Sequence, residues 1–484
     1  MLVSLYTVRV LLNTLGVIDF GLYNVIGGIV VMFSFLSNTM ATASQRFFSF
    51  ELGRNDILKL KQTFSLTVTI YFIISLLVFL LAETIGLWFL NNQMLIPPER
   101  MGAANWIYQF SILSFIVTIM TIPYNAAIIA RENMAVYAYV SIIEVVLKLT
   151  VVYLLLIFSV DKLKLYAFLI FCTTCVISYI YLTICKRKYE ECQFRFYFNK
   201  DLFNTLINFS GWNLLGTISG IANNQGNNIL INIFFGPQIN AARAIAFQIN
   251  MAVTSFSSNF FTAVRPQLIK SYAENNMNYL LNLFYMSSKL SYFLLLFFCL
   301  PVMVEVQFIL NLWLINVTDY MVIFTRLIII YTMILSLQNP ITTLVHATGQ
   351  IKKYHIIVEL ITLLCLPISY IFLKLGYPAE YTMYISILVF TFAHFVRLWI
   401  LKGLMKISIV DYIKRIISIL IMVTLISLLP LIAIKAQLEY GFLRFIIVVI
   451  ASILGVTINC FFIGLSRMER EIIIERIKGK FLNK

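Results

Sequence analysis

The chain has 484 residues, of which 61% are hydrophobic and only 12% charged, with a mean hydropathy of +0.91. So little charge cannot cover the surface of a soluble domain of this length, and that class is excluded. The formal charge of +15 is spread between apolar segments rather than gathered on a soluble basic face, which excludes a nucleic-acid partner.

Crossing about 30 Å of hydrocarbon takes roughly 20 apolar residues, and such stretches recur along the whole chain. Fourteen are predicted: 1–12, 21–40, 63–90, 106–130, 135–158, 165–185, 204–235, 241–262, 280–305, 322–345, 355–373, 381–401, 416–434 and 441–464. The first would rise only about 18 Å as a helix, too short to span, so a segment upstream of residue 1 is expected. The connecting loops alternate in charge. One set, with the C-terminal tail, holds 24 Lys/Arg and the other set holds 5. Positive loops resist translocation, so the rich side is predicted to be cytoplasmic, with both termini on it.

In chain order, the ionisable residues inside these segments are functional candidates, because each costs about 2.5–3.5 kcal/mol near the bilayer centre on insertion scales. Arg9 lies in the short first segment and Arg46 ends the second. The fifth carries Glu144 and Lys148, one helical turn apart and able to pair. Cys172 and Cys175 form a CxxC inside the sixth, read as buried small hydrophobes because metal or redox use needs exposed ligands and partners. The seventh segment is the anomaly. Asn213, Thr217, Gly220, Asn224 and Asn228 recur at three- or four-residue steps and form one polar, small-residue face. In lipid every amide needs a partner, so this face contacts another helix or lines a hydrated cleft able to hydrogen-bond sugar hydroxyls.

The eighth segment carries Arg243, the ninth Lys289, the tenth Arg326, the eleventh Glu359, the twelfth His394 and Arg397, and the fourteenth Arg444. Arg243, Lys289 and Lys148 are read as cleft-lining cations; Arg326, Arg397 and Arg444 as snorkelling to the headgroups. The tail, 466–484, alternates isoleucines with basic residues as a helix lying on the inner leaflet would.

An internal repeat sets the architecture. Gly16 leads the second segment and Gly236 the eighth, about 220 residues later, which places Ser37 opposite Ser257 and Arg46 opposite Arg265. Pro123 and Pro340 match before basic turns, and Glu144 then falls opposite Glu359. Six segments separate the copies, so they run parallel. The expected fold is an all-α polytopic membrane protein of about 14 transmembrane helices, with two pseudo-symmetric six-helix lobes plus two C-terminal helices. The N-terminal lobe is 1–190, the C-terminal lobe 204–402, the appended pair 413–464 and the basic tail 465–484. A two-lobed bundle with a central cleft is a transporter architecture. There is no GxxxxGK[ST] phosphate loop or HExxH motif, and His346, His355 and His394 are widely separated, so no enzyme, cofactor or metal site is expected.

The run Arg9-x-x-Leu12-x-x-Leu15-Gly16-x-x-x-Phe20-Gly21-Leu22-Tyr23 resembles the opening of bacterial polysaccharide-export proteins of the Wzx type. Ser44-Gln45-Arg46-Phe47, Ala241-Ala242-Arg243-Ala244 and Asn339-Pro340 before Ala347-Thr348-Gly349 extend the match over nearly the whole chain. These are oligosaccharide flippases, in the larger group that holds multidrug/toxic-compound exporters and lipid II flippases. The chain departs from them where relatives often carry an acid late in the seventh helix and this sequence has Asn227 and Asn228.

The resemblance implies a carrier in the bacterial inner membrane. Its cargo would be a polyprenyl-pyrophosphate-linked glycan, moved from the cytoplasmic to the periplasmic leaflet, with a polymerase and other polysaccharide-assembly proteins as possible partners. The cleft candidates for cargo are Arg9, Arg46, Lys148, Arg243, Lys289, Asn213, Thr217, Asn224 and Asn228; those for coupling are Glu144 and Glu359. A multidrug or cation antiporter of the same fold, and a lipid II flippase, are the alternatives.

Overall fold

A computed structural model describes residues 34–92, 96, 98–158, 160–314, 317–405, 407–467 and 469–471, with isolated positions 10, 11, 14, 15, 19, 22, 23 and 26. The first predicted segment with Arg9, much of the second, and most of the tail lie outside the described residues.

Helices follow the predicted segments closely: α1 Ser34–Gly53, α2 Ile57–Asn92, α3 Pro98–Ala130, α4 Met134–Ile157 and α5 Lys162–Lys188. Lys200–Ala273 is one helical run broken at Gly236, whose φ of 76° is left-handed; its arms are α6 (200–235) and α7 (237–273). Then come α8 Met277–Val304, the short α9 Val306–Trp313, α10 Asp319–Thr348, α11 Lys352–Lys374, α12 Tyr381–Met405, α13 Ile409–Gln437 and α14 Phe442–Gly464. Ten helices among the described residues are long and apolar enough to span a membrane: α2 to α5, α8 and α10 to α14. The polar-faced arms α6 and α7 are not among the ten.

Helix starts are set by side-chain caps, because the first turn leaves backbone N–H groups without partners. Asp56 accepts from Lys59 N, Asn133 from Val136 N, Asp161 from Leu163 N and Lys164 N, and Asn276 from Tyr279 N. Two of these turns also display the repeat. Asn55 (φ 56°) precedes the cap Asp56, and Asn275 (φ 58°) precedes the cap Asn276. Asn55 N bonds Leu52 O and Asp56 N bonds Glu51 O; Asn275 N bonds Tyr272 O and Asn276 N bonds Ser271 O. The same turn thus recurs after a shift of 220 residues.

The chain divides into two compact units, Met1–Leu214 and Leu215–Lys484. In the first, α3 packs along α5 and against α1. Phe48, Phe64, Tyr124 and Ile128 form part of its core, with Phe64 edge-on to Tyr124 at 5.4 Å. In the second, the equivalent α10 packs along α12, and Ala242 and Ala246 of α7 pack against Phe324 and Ile328 of α10. The appended pair, α13 and α14, packs on itself and on α8, so it joins the second unit. The division falls inside α6 rather than in the loop before it. Outward faces carry apolar residues at helical spacing, such as Ile421, Leu425 and Leu429 on α13 and Ile450, Leu454 and Ile458 on α14. That is the surface a bilayer covers.

Candidate functional site

The helix break at Gly236 turns α7 back along α6, which brings Arg243 to the amide face of α6. Its Nη2 donates to Asn224 Oδ1 at 3.1 Å and its Nη1 donates to Asn228 Oδ1. The guanidinium lies over the Phe247 ring, 4.2 Å from the centroid, and Arg243 is 3% exposed. Its Nε has no hydrogen-bond partner, and no carboxylate pairs with it among the described residues. A buried cation here is therefore held by neutral oxygens alone. Tyr331 of α10 lies within electrostatic range of both Arg243 and Arg397. Arg397 is buried and its Nε is also unpartnered, so the expectation that it snorkels to headgroups is corrected.

The five amides of 223–228 divide by face. Asn224 and Asn228 serve Arg243, whereas Asn223 and Asn227 are buried, Asn227 beside Cys365 of α11. Gly226 and Gly216 let α6 approach α11. A Cβ at Gly226 would sit 2.6 Å from Leu366, and one at Gly216 would sit 3.0 Å from His355 Nδ1 and 3.1 Å from Glu359 Oε1. Gly220 has open space around it. Asn213, at the end of the first unit, is buried and Thr217, in the second, is half-buried; both are engaged.

The other candidates each have a definite place. Glu359 lies 3.4 Å from His355 Nδ1 and accepts from the Thr362 hydroxyl at 3.3 Å. Lys148 and Glu144 pair at 2.6 Å on an exposed face of α4. Lys289 is buried on α8 and donates to Gly464 O at 3.2 Å and Glu469 Oε2 at 2.6 Å, so its charge is neutralised at the end of α14. That corrects its reading as a cleft cation. Arg46, in the first unit, is buried with its guanidinium 4.6 Å from Phe47, 4.7 Å from Phe50 and 5.4 Å from Phe209. It borders a 530 Å³ cavity formed with Glu51, Lys59, Asn199 and Asp201. Burial pushes the Glu51 carboxyl up, against the pull of Lys59 at 3.6 Å.

Sequence reasoning missed several pairings. Arg444 is buried against Glu305, with Nε to Oε1 and Nη2 to Oε2 both at 2.9 Å, so it is a structural ion pair and does not snorkel. Arg131 holds Glu191 with two hydrogen bonds of 2.8 Å, which raise the Arg131 pKa. Arg100 bridges Asp19 and Asp161. The partners lie 60 or more residues apart, and no local pattern announces them. His346 and His355, read as unrelated, meet with ring centroids 5.7 Å apart because the turn at Gly349 folds α11 back on α10. The signal that could have found the second titratable group was the i, i+4 spacing of His355 and Glu359.

Solved structures share this fold at low identity. A MATE transporter in the straight conformation superposes with a TM-score of 0.71 at 13% identity, covering 84% of this chain and 93% of that one. The same protein type in the bent conformation gives 0.71 at 14%, covering 84% and 92%. A MOP superfamily transporter from Pyrococcus furiosus, described as having a binding pocket of reverse polarity, gives 0.69 at 13%, covering 82% and 90%. These likenesses establish the fold of MOP superfamily transporters. No curated protein matches the sequence. Residues 1–272, more than half of the chain, match the family described as polysaccharide biosynthesis protein. The chain is a multi-pass membrane protein and belongs to the polysaccharide biosynthesis protein family.

Proposed function

We propose that the protein is a flippase that moves polyprenyl-pyrophosphate-linked oligosaccharide from the cytoplasmic to the periplasmic leaflet of the bacterial inner membrane by alternating access. Both termini are assigned to the cytoplasm on the 24-to-5 division of loop charge. The observation that carries the reading is Arg243, a buried guanidinium held by amide oxygens and, among the described residues, paired with no carboxylate. A pyrophosphate supplies the missing charge in the planar, two-point geometry that a guanidinium matches.

Asn224, beside it and exposed, has the donors and acceptors that sugar hydroxyls need, and Asn213, Thr217 and Asn228 extend the same helix face. An apolar cavity of 420 Å³ bordered by Leu296, Met303, Met333, Phe395, Leu420 and Leu428 offers isoprenoid-compatible surface in the same unit. Arg46 beside its polar cavity is assigned to early contact with the headgroup, and Arg9 and Lys148 remain secondary cargo candidates. The family's role in polysaccharide biosynthesis supports the glycan, and a polymerase and other assembly proteins are the expected partners.

A multidrug antiporter of the same fold fits the structural likeness equally, and Glu359 is the acid it would use. Deletion of the gene separates the two. A flippase leaves lipid-linked oligosaccharide on the cytoplasmic leaflet and removes surface polysaccharide, with complementation restoring it. Normal surface glycan together with new sensitivity to cationic drugs refutes the flippase and supports the antiporter. A lipid II flippase is separated by which lipid-linked intermediate accumulates.

A further inference from the structure

The segment that joins α5 to α6 is a strap with two unlike faces. Its start is fastened to the first unit: Tyr189 and Cys192 are buried in the core with Tyr124, Arg131 clasps Glu191, and Lys61 pairs with Glu190 at 3.0 Å. Residues 193–199 then run without helix, and Arg195 N donates to the Ser65 hydroxyl of α2 at 3.3 Å. In extended backbone successive side chains point to opposite faces. Tyr197 and Asn199 line the polar cavity that Arg46 and Glu51 border. Phe194, Phe196 and Phe198, on the alternate positions, are 47%, 78% and 57% exposed.

The height of the strap says what surrounds those rings. Ser65 lies eight residues into α2, about 12 Å along the axis from Ile57, where the apolar run of that helix begins. This is the level at which headgroups give way to acyl chains and aromatic rings are favoured. The charge around the rings has one sign. Lys186, Arg187, Lys188, Arg195 and Lys200 are all exposed, whereas Glu190 and Glu191 are taken by Lys61 and Arg131, and Asp201 borders the polar cavity.

We propose that the strap is a binding site for anionic phospholipid. The three rings enter the boundary of the leaflet, and the five cations hold the phosphates of lipids that carry a net negative charge. The choice of the inner leaflet rests on the proposed topology; the binding itself does not, and it makes no use of the cargo. Attraction of this kind accumulates with each cation near the surface and is screened by salt. Lipid suits the strap better than a protein partner does. At the level of Ser65 the space beside α2 is already filled by lipid in any membrane that holds the helix, so a protein would first have to displace it. The strap ends at Lys200, the first residue of α6, so lipid bound there fixes the start of the helix that carries Asn224 and Asn228.

Phe196→Trp places a fluorescent reporter among the rings, with the native tryptophans at 88, 106, 212, 313 and 399 replaced by Phe. The purified full chain is set in nanodiscs of mixed phosphatidylcholine and phosphatidylglycerol. Bromine, which quenches on contact, is carried high on the acyl chains of one lipid or of the other. Brominated phosphatidylglycerol should quench the reporter about three-fold more than brominated phosphatidylcholine at the same fraction. Changing Lys186, Arg187 and Lys188 together to Gln should bring that ratio close to one, and so should salt near 1 M, where screening acts within about 3 Å. The wild-type chain covers the case in which the reporter variant does not purify. Its cleavage by trypsin between Lys186 and Lys200, relative to cleavage at the exposed Lys352 and Lys353, should slow about ten-fold when phosphatidylglycerol is added.

A reporter that neither lipid quenches shows the strap standing in water and overturns the proposal. Equal quenching by the two lipids, or trypsin cleavage that ignores phosphatidylglycerol, overturns it as well, because the cations then select nothing. A photo-cross-linker at position 196 that captures a protein in cells, with the reporter unquenched in nanodiscs, gives the strap to a protein partner instead. No oligosaccharide enters these measurements, so a failure of the cargo reading leaves their outcome unchanged.

Discussion

Arg243→Ala should separate binding from stability, and the structure gives the size of each effect. Burying a guanidinium costs several kcal/mol. The return is two hydrogen bonds from a charged donor, about 1.5–3 kcal/mol each, and a cation–π contact with Phe247 of about 1–2 kcal/mol. These nearly cancel. Asn224 is exposed and Asn228 half-buried, so neither oxygen is stranded when the guanidinium leaves. The variant should lie within about 2 kcal/mol of wild type, a shift in Tm of no more than about 8 °C for a unit of this size. Binding is another matter. Removing one partner of a buried, hydrogen-bonded charge pair costs about 2–5 kcal/mol, which is about 30-fold to a few thousand-fold in Kd. The assay is binding of a polyprenyl pyrophosphate to the purified protein, with melting measured on the same preparation. Arg243→Lys should recover part of the affinity, since it keeps the charge and loses the planar fork. A variant that melts more than about 10 °C lower yet binds the pyrophosphate normally refutes the reasoning, for Arg243 would then be a packing residue.

The contrast is Arg444. It is buried with a carboxylate partner, so Glu305→Ala should leave an uncompensated charge and cost about 3–5 kcal/mol, read as lost thermal stability. Replacing both partners by apolar residues should restore much of it, and a double mutant no better than Glu305→Ala would show that the pair is not the cause. At the end of α14, burial raises the Glu469 carboxyl, but the Lys289 ammonium and the Ser466 backbone and hydroxyl outweigh it and hold the pKa below the usual value. A carboxyl depressed in the folded state stabilises above its unfolded pKa and loses that contribution as pH falls through the depressed value. Proteolysis of the segment after Gly464 should therefore accelerate on acidification below about pH 4, and Glu469→Gln should show the fast cleavage already at neutral pH.

Much of the architecture was legible because the bilayer leaves the sequence few options. An apolar run of about 20 residues can only be a helix in lipid, and its end is marked by a capping Asp or Asn or by a glycine, as at Asp56, Asn133, Asp161, Asn276 and Gly349. The break between α6 and α7 was legible for the same reason: Gly236 supplies the positive φ and Pro237 follows it. The candidate site was legible in part. The 3.6-residue period put Asn224 and Asn228 on one face, and that face is the one Arg243 meets. The period did not say that Asn223 and Asn227 belong to another face, because five amides in six residues blur it. The unit boundary inside α6 was also hidden, since division depends on packing and not on loop length.

What sequence could not provide was the partner of each intramembrane charge. Lys148, Arg243, Lys289, Arg397 and Arg444 all look alike in a hydropathy trace, each an expensive cation in an apolar run. Their partners divide them. Lys148 has Glu144 beside it, and Lys289 and Arg444 have Glu469 and Glu305, which lie 180 and 139 residues away in the chain. A charge neutralised within its own unit costs little and offers nothing to an anionic cargo. Arg243 is held by two amide oxygens, and Tyr331 of α10 lies within electrostatic range of both it and Arg397, so two buried arginines with no carboxylate partner among the described residues share one neighbour. The Glu359 carboxylate lies instead beside His355, on the side of α11 that bears on Gly216, and forms no ion pair with either arginine. The amides that hold Arg243 and the Gly216 turn that meets His355 and Glu359 thus lie on the same helix, and any movement of α6 must change the surroundings of both.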